Sequence, residues 1–312
     1  MCSSCETPFF FVTPGHTQRG LTRWYLHRSL RQHHAFPAGG KQLVAVGCTN
    51  VTRQHAQTAN MEQVLFKLIE WLYNTLRDAA DEVRFRAYHG PVFHRFLHHR
   101  YNYYRHLPAR DKLPFLRLVR DHYEFFEFVP RKIKLTRAMK AIICSAASQL
   151  VLRLPRESLT FWQRIIVYPG DYESSVTQLR HQGEVNPRLR TIVFSWPSIM
   201  KGLHRPDDGL NLLLHEFAHA LWIEHKLTQH EYTVLDPILV REFELLAEAE
   251  MRQLHTNEHH FFRRYAFQNM EEFFAVAVEN FFERPAPLQA ALPHFYDVLQ
   301  RMFRQTPVAH VP

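Results

Sequence analysis

At 312 residues the chain is long enough for one large domain or two small ones, and its 46% hydrophobic and 22% charged content is that of an ordinary globular protein. The formal charge of +8 is concentrated early: Arg19, Arg23, Arg28, Arg31, Lys41 and Arg53 stand against Glu6 alone, which leaves +3 for residues 61–312. No compact basic stripe follows, so nucleic acid is not an expected partner.

Residues 1–60 carry scattered histidines, glycines and prolines with no sustained period, and read as poorly ordered or as a mis-assigned start. "MCSSC" forms a Cys-x-x-Cys pair (Cys2, Cys5) without a second pair at zinc-ribbon spacing. Four cysteines in all argue against a disulfide framework and for a reducing, cytoplasmic setting. No run reaches the roughly 18 apolar residues of a membrane-spanning helix, and "TPFFFVTPG" lacks the basic lead of a signal peptide. From Met61 a helical period takes over, with Val64, Leu65, Leu68, Trp71, Leu72 and Leu76 in phase. Further helices are expected at about 91–105, 112–127 and 135–150, the last capped by Thr136. The period then changes: "QRIIVYPG" (163–170) and "RLRTIVFSW" (188–196) read as strands. Helices are expected again at about 209–225, 236–253, 270–283 and 287–304, which makes the chain α+β and mostly helical.

The stretch "LLLHEFAHALW" carries the chemistry. His215 and His219 are four residues apart, so on a helix both imidazoles point the same way and can share one zinc ion. Glu216 is placed to act as general base on a water whose pKa the zinc lowers towards about 7. Asp207 and Asp208 are candidate caps for this helix. In a chain with 22 histidines the pattern also arises by chance, and His94 and His98 make another such pair. Arg95 stands where that second pair would need a base, so it reads as a solvated helix face.

Two stretches compete for the third ligand. One offers Glu242, Glu244, Glu248 and Glu250; the other, "NMEEFFAVAVENFF", offers Glu271, Glu272 and Glu279 on a heavily apolar helix. Carboxylates on such a face need partners, because burying an unpaired charge is costly. Glu272 and Glu279 are two turns apart on one face, suited to a ligand and a supporting group. Glu272 can equally complete a capping box with Asn269, and Glu279 a structural ion pair. The strand at 191–195, just ahead of the motif helix, is a candidate edge for an extended substrate.

"LLLHEFAHAL" together with "YAFQNMEEFFAVAVENFF" resembles the zinc-dependent peptidases of the Mlc titration factor A family, which share a superfamily with the catalytic domain of anthrax lethal factor. The likeness runs from about Leu113 to Phe303 and includes "EFFEFVPRKIKLTRAMKAIICSAASQLVL", "IIVYPGDY" and "TIVFSW". It implies a zincin-like metallopeptidase fold with a small sheet preceding the His-Glu-x-x-His helix, and one zinc ion per chain held by His215, His219 and Glu272. It further implies Glu216 as general base, Tyr265 as oxyanion donor, and Glu279 as acceptor of a histidine ring N–H. The expected organisation is an N-terminal segment over 1–60, a helical extension over 61–110, the peptidase domain over 111–304 and a tail over 305–312. The implied function is zinc-dependent peptide hydrolysis, with an aminopeptidase among the family's reported activities; the alternative is a regulatory protein that binds and titrates a transcriptional repressor. The expected partners are thus a peptide or protein substrate and a transcriptional regulator, with no membrane. The family commonly has Asp three residues after the second histidine, where this chain has Trp222, so Glu279 or Glu224 must orient a histidine instead. Residues 1–90 have no counterpart in the family pattern.

Overall fold

The computed structural model describes residues 51–173, 180–228, 231–253 and 260–307; the expectations for residues 1–50, including the Cys2–Cys5 pair, lie outside them. The chain divides into two units, Met1–Leu72 and Tyr73–Pro312. Helix α1 (Val51–Arg84) crosses this division and continues into a π-helical turn, Phe85–His89. Among the described residues, no helix is long and apolar enough to cross a membrane.

The second unit opens with α2 (Gly90–Arg100), α3 (Asn102–His106) and α4 (Ala109–Phe125). The single helix expected over 91–105 is broken at Tyr101, which is extended at φ −129° and ψ 104°. There its buried hydroxyl donates to Gln149 Oε1 at 2.7 Å, a tertiary bond that a straight helix would not reach. Strand β1 (Glu127–Pro130) follows, and then α5 (Arg137–Val151), capped as expected by Thr136, whose Oγ1 accepts the Met139 N–H at 3.2 Å. Ala141, Cys144, Ser145, Ala147 and Ser148 are all buried, and their small side chains let neighbouring elements approach closely.

Strands β2 (Arg164–Tyr168), β3 (Tyr172–Glu173), β4 (Arg180–His181), β5 (Gly183–Asn186) and β6 (Thr191–Ser195) come next. The main sheet has the order β1-β2-β6-β5, with β2 parallel to both β1 and β6 and β5 antiparallel to β6. The small β3-β4 pair stands apart. All five residues of β6 are buried, and β6 is paired on both sides, with β2 and β5. The expectation that 191–195 offers an edge to substrate is therefore corrected: its backbone is paired on both sides, and among the described residues the edge strands of this sheet are β1 and β5.

After α6 (Trp196–His204), the motif helix α7 spans Leu212–Thr228. It begins later than the sequence pattern suggests because Gly209 turns into the left-handed region at φ +71°, where an added Cβ would also lie 2.9 Å from Asn280 Oδ1. The cap is Asn211, whose Oδ1 accepts the Leu214 N–H at 3.2 Å; Asp208 instead accepts from Leu210 N at 2.9 Å in the preceding turn. Helices α8 (Pro237–Gln253), α9 (Met270–Glu283), α10 (Pro285–Ala291) and α11 (Pro293–Phe303) complete the unit, with a 3-10 turn at Arg264–Gln268. The one helix expected over 287–304 is two, because Pro293 forces Leu292 out of the helical region, to φ −135° and ψ 67°.

The result is a mostly helical α+β protein whose small sheet precedes the motif helix. Helices α7 and α9 are apolar nearly all round and pack against each other in the core, as uniformly apolar helices must. Trp222 is fully buried in that core, its ring centroid 4.6 Å from Phe274 and 6.2 Å from Phe243.

Candidate metal and catalytic centre

The packing of α7 on α9 brings together residues 57 positions apart in sequence. His215 Nε2 and His219 Nε2 are 3.1 Å apart, and Glu272 Oε2 lies 3.2 Å from the first and 3.3 Å from the second. Tetrahedral ligands bonded at about 2.0–2.1 Å would be separated by about 3.3 Å. Glu272 Oε2 is buried and makes no well-formed hydrogen bond, although it sits within ion-pair distance of both rings. Two ring nitrogens and a carboxylate oxygen facing one another at these distances fit a shared cation. Among the described residues, His215, His219 and Glu272 are the one group of histidine, cysteine or acid side chains close enough to hold a metal ion.

The other sequence candidates fall elsewhere. His94 Nδ1 pairs with the Tyr104 hydroxyl at 2.7 Å, and the His94 and His98 rings are 5.8 Å apart. Glu242 binds Arg301, and Glu244 and Glu248 lie near Arg241 on an exposed part of α8. Asn269 does cap α9, accepting the Glu272 N–H at 2.8 Å, but the Glu272 carboxylate turns to the histidines instead of closing a capping box.

Glu279 resolves the orientation question raised by Trp222. The His215 Nδ1–H donates to Glu279 Oε1 at 2.5 Å, which leaves Nε2 as the lone-pair atom facing His219 and Glu272. Glu224, the other candidate, is committed elsewhere: it accepts from the Phe161 N–H at 3.2 Å and the Tyr232 hydroxyl at 2.8 Å. Glu279 also accepts the Asn211 N–H at 2.9 Å, and Asn211 Nδ2 donates to Glu283 Oε1 at 2.8 Å. The start of α7 is thereby fastened to α9 by polar bonds as well as by packing.

The electrostatics favour a positive charge at this place. Burial disfavours the imidazolium of His215, yet the Glu272 carboxylate beside it and the hydrogen-bonded Glu279 outweigh it and push His215 up to about 10. Burial likewise opposes the Glu272 carboxylate, but the two imidazoles hold it well below the usual range. The carboxylates that stabilise positive charge on His215 would stabilise a divalent cation in the same place, with His215 giving up its proton as the ion binds.

Glu216 is buried, and that burial raises its carboxyl above the ordinary range, with His215 and His219 pulling the other way. Its side chain packs against Gly183 at the start of β5: a Cβ built there would lie 2.2 Å from Glu216 Oε1. Tyr265, on the 3-10 turn, is 43% exposed, and its ring centroid is 6.0 Å from that of His215. Burial first, and then the neighbouring Glu272 charge and hydrogen bond, push its phenol up, so it stays protonated and able to donate.

Sequence reasoning named His215, Glu216, His219, Tyr265, Glu272 and Glu279, and all six meet in one region of the fold. It missed Gly183, Asn211, Arg263 and Glu283. Asn211 carried a usable signal, an Asn directly before an apolar helical run. The other three are brought to the site by tertiary contacts and left no local trace.

Comparison with known proteins adds an independent line. A family model described as glucose-regulated metallo-peptidase M90 matches residues 78–304, which contain every residue of the centre. An uncharacterized Synechocystis protein, slr2042, is 27% identical over 195 residues, covering 56% of this chain and 69% of its own. Mlc titration factor A from Pectobacterium atrosepticum is 26% identical over 210 residues, covering 58% and 74% respectively.

Proposed function

Since the chain belongs to the glucose-regulated metallo-peptidase M90 family, we propose that it is a zinc-dependent peptidase whose single zinc ion is held by His215, His219 and Glu272. The observation that carries this reading is the convergence of the two Nε2 atoms and Glu272 Oε2 at 3.1–3.3 Å. When bound, zinc supplies a Lewis acid that polarises the scissile carbonyl and acidifies a water. Glu216 takes the proton of the attacking water and later delivers it to the leaving amine; its raised carboxyl suits a group that must hold a proton in mid-reaction. Tyr265 donates to the carbonyl oxygen as charge develops there, an interaction present chiefly in the transition state. Glu279 keeps the His215 ring turned so that Nε2 faces the centre. The open edge of β5 offers backbone groups to an extended peptide, next to Glu216.

The test is metal content and peptide cleavage measured together on wild type and Glu216→Gln. The expected outcome is about one zinc per chain in both proteins, with turnover of small chromogenic peptides only in the wild type. Normal turnover by Glu216→Gln removes it as the base. Aminopeptidase action rests on the family resemblance, and comparing one peptide with a free and an acetylated amino terminus decides it. We place the reaction in the cytoplasm on cysteine usage, since four cysteines are few for a disulfide framework.

A second reading, binding and titration of a transcriptional repressor, is favoured by the name of the Pectobacterium relative. Equal binding of purified Mlc by wild type and Glu216→Gln would separate that role from catalysis.

A further inference from the structure

Arg263 has no part in the chemistry just described, yet its side chain reaches several of the groups that support it. Nη2 donates to Glu279 Oε1 at 2.8 Å and Nη1 to Glu279 Oε2 at 3.1 Å, a two-pronged grip on a carboxylate that is 1% exposed. Nη1 also donates to the Gly209 carbonyl at 2.8 Å, in the left-handed turn that precedes α7. The guanidinium carbon lies 5.7 Å from the centroid of the Tyr265 ring, two residues along the chain.

These contacts converge on the two groups whose aim matters most. Glu279 Oε1 receives the His215 Nδ1–H at 2.5 Å, so the angle of that carboxylate sets the angle of the ring. Tyr265 is on a short turn and 43% exposed, so few core contacts fix its ring. We propose that Arg263 is a positioning residue of the centre, holding the Glu279 carboxylate in line with His215 and lying against Tyr265 to aim its hydroxyl. The inference rests on the peptidase reading. A lysine would not reproduce it, because one ammonium cannot grip both carboxylate oxygens, reach the Gly209 carbonyl and lie against an aromatic ring.

The first readout is zinc affinity by competition with a fluorescent chelator, on wild type, Arg263→Ala, Glu279→Gln and the double variant. Arg263→Ala is expected to bind zinc at least about tenfold more weakly, within the 10–100-fold range of groups that orient metal ligands. In the Glu279→Gln background the further loss is expected to fall below about threefold, because the arginine acts through that carboxylate. The second readout is kcat and KM for a fluorogenic peptide at saturating zinc. Arg263→Ala is expected to lower kcat at least tenfold more than it raises KM, and this gap is expected to close in a Tyr265→Phe background. A zinc affinity less than tenfold weaker in Arg263→Ala, or a loss that persists at full size in Glu279→Gln, overturns the proposal, as does a change in KM alone. If Arg263→Ala does not fold, Arg263→Lys takes its place under the same criteria. Wild-type protein that binds no zinc would instead sink the peptidase reading itself.

Discussion

Gly183→Ala is a sharp test of the catalytic geometry because it adds one methyl group and touches no proposed metal ligand. The new Cβ would lie 2.2 Å from Glu216 Oε1, 2.5 Å from Cδ and 2.7 Å from Cγ. Ordinary contact requires about 3.5 Å, so the Glu216 carboxyl must retreat by about 1 Å. β5 cannot easily yield instead, since Gly183 pairs opposite Phe194 and the Ser195 N–H donates to the Gln182 carbonyl at 2.7 Å. A displacement of about 1 Å at a reacting group costs on the order of 100-fold in rate. The assay is kcat at saturating zinc for a fluorogenic peptide, alongside zinc affinity by chelator competition. The expected result is a kcat about 100-fold lower with unchanged zinc affinity. A kcat within threefold of wild type would refute the placement of Glu216 as base, and a collapse of zinc affinity would show that the methyl acts on the ligands instead.

Glu272→Ala is expected to lose stoichiometric zinc, whereas Glu279→Ala keeps it with affinity about 10–100-fold lower, read by metal analysis after dialysis; the reverse order would exchange their roles. Asn211→Ala removes the α7 cap and strips a donor from buried Glu283, so urea denaturation should show a loss of about 2–4 kcal/mol. Glu224 gives a pH signature: burial raises its carboxyl from 4.5 to about 7. Below pH 4.5 both folded and unfolded states hold that proton; between 4.5 and 7 the unfolded state releases it first, so stability falls as pH rises, by about 3 kcal/mol in all. Glu224→Gln should therefore gain stability over wild type across that window in denaturation titrations, and parallel curves would contradict it. Glu283, raised by burial to about 8, has the same sign and leaves a residual slope in the variant.

What the sequence disclosed was whatever depends on local spacing. His215, Glu216 and His219 occupy one helical turn, and the caps at Thr136 and Asn269 sit where their residue types place them. Glu272 was left between two explanations, and both proved partly true, since it occupies the third position of α9 while its carboxylate serves the histidines. What stayed hidden was set by pairing at a distance. β5 is four residues, "GEVN", with one apolar side chain, so no alternation announces it. Whether β6 is an edge or a central strand is decided by its pairing with β2 and β5, and no feature of "TIVFS" records it. Arg263 is one of many arginines until the fold puts Glu279 beside it.

The burial of α7 and α9 has a thermodynamic consequence. Trp222 on α7 and Phe273 and Phe274 on α9, the two helices that bear the proposed ligands, form one buried aromatic cluster with Phe243, Phe262 and Phe295. The side chains proposed to hold zinc sit on these two helices, which the bonds of Asn211 and Glu279 also tie together. Small zinc domains fold only as they bind metal, so their affinity is diminished by the entropy of ordering the chain. Here the hydrophobic core orders α7 and α9, so the proposed ion capture would be a local event. On the proposed function, the folded protein would then exchange its metal, and the proposed activity would follow the free ion concentration around it.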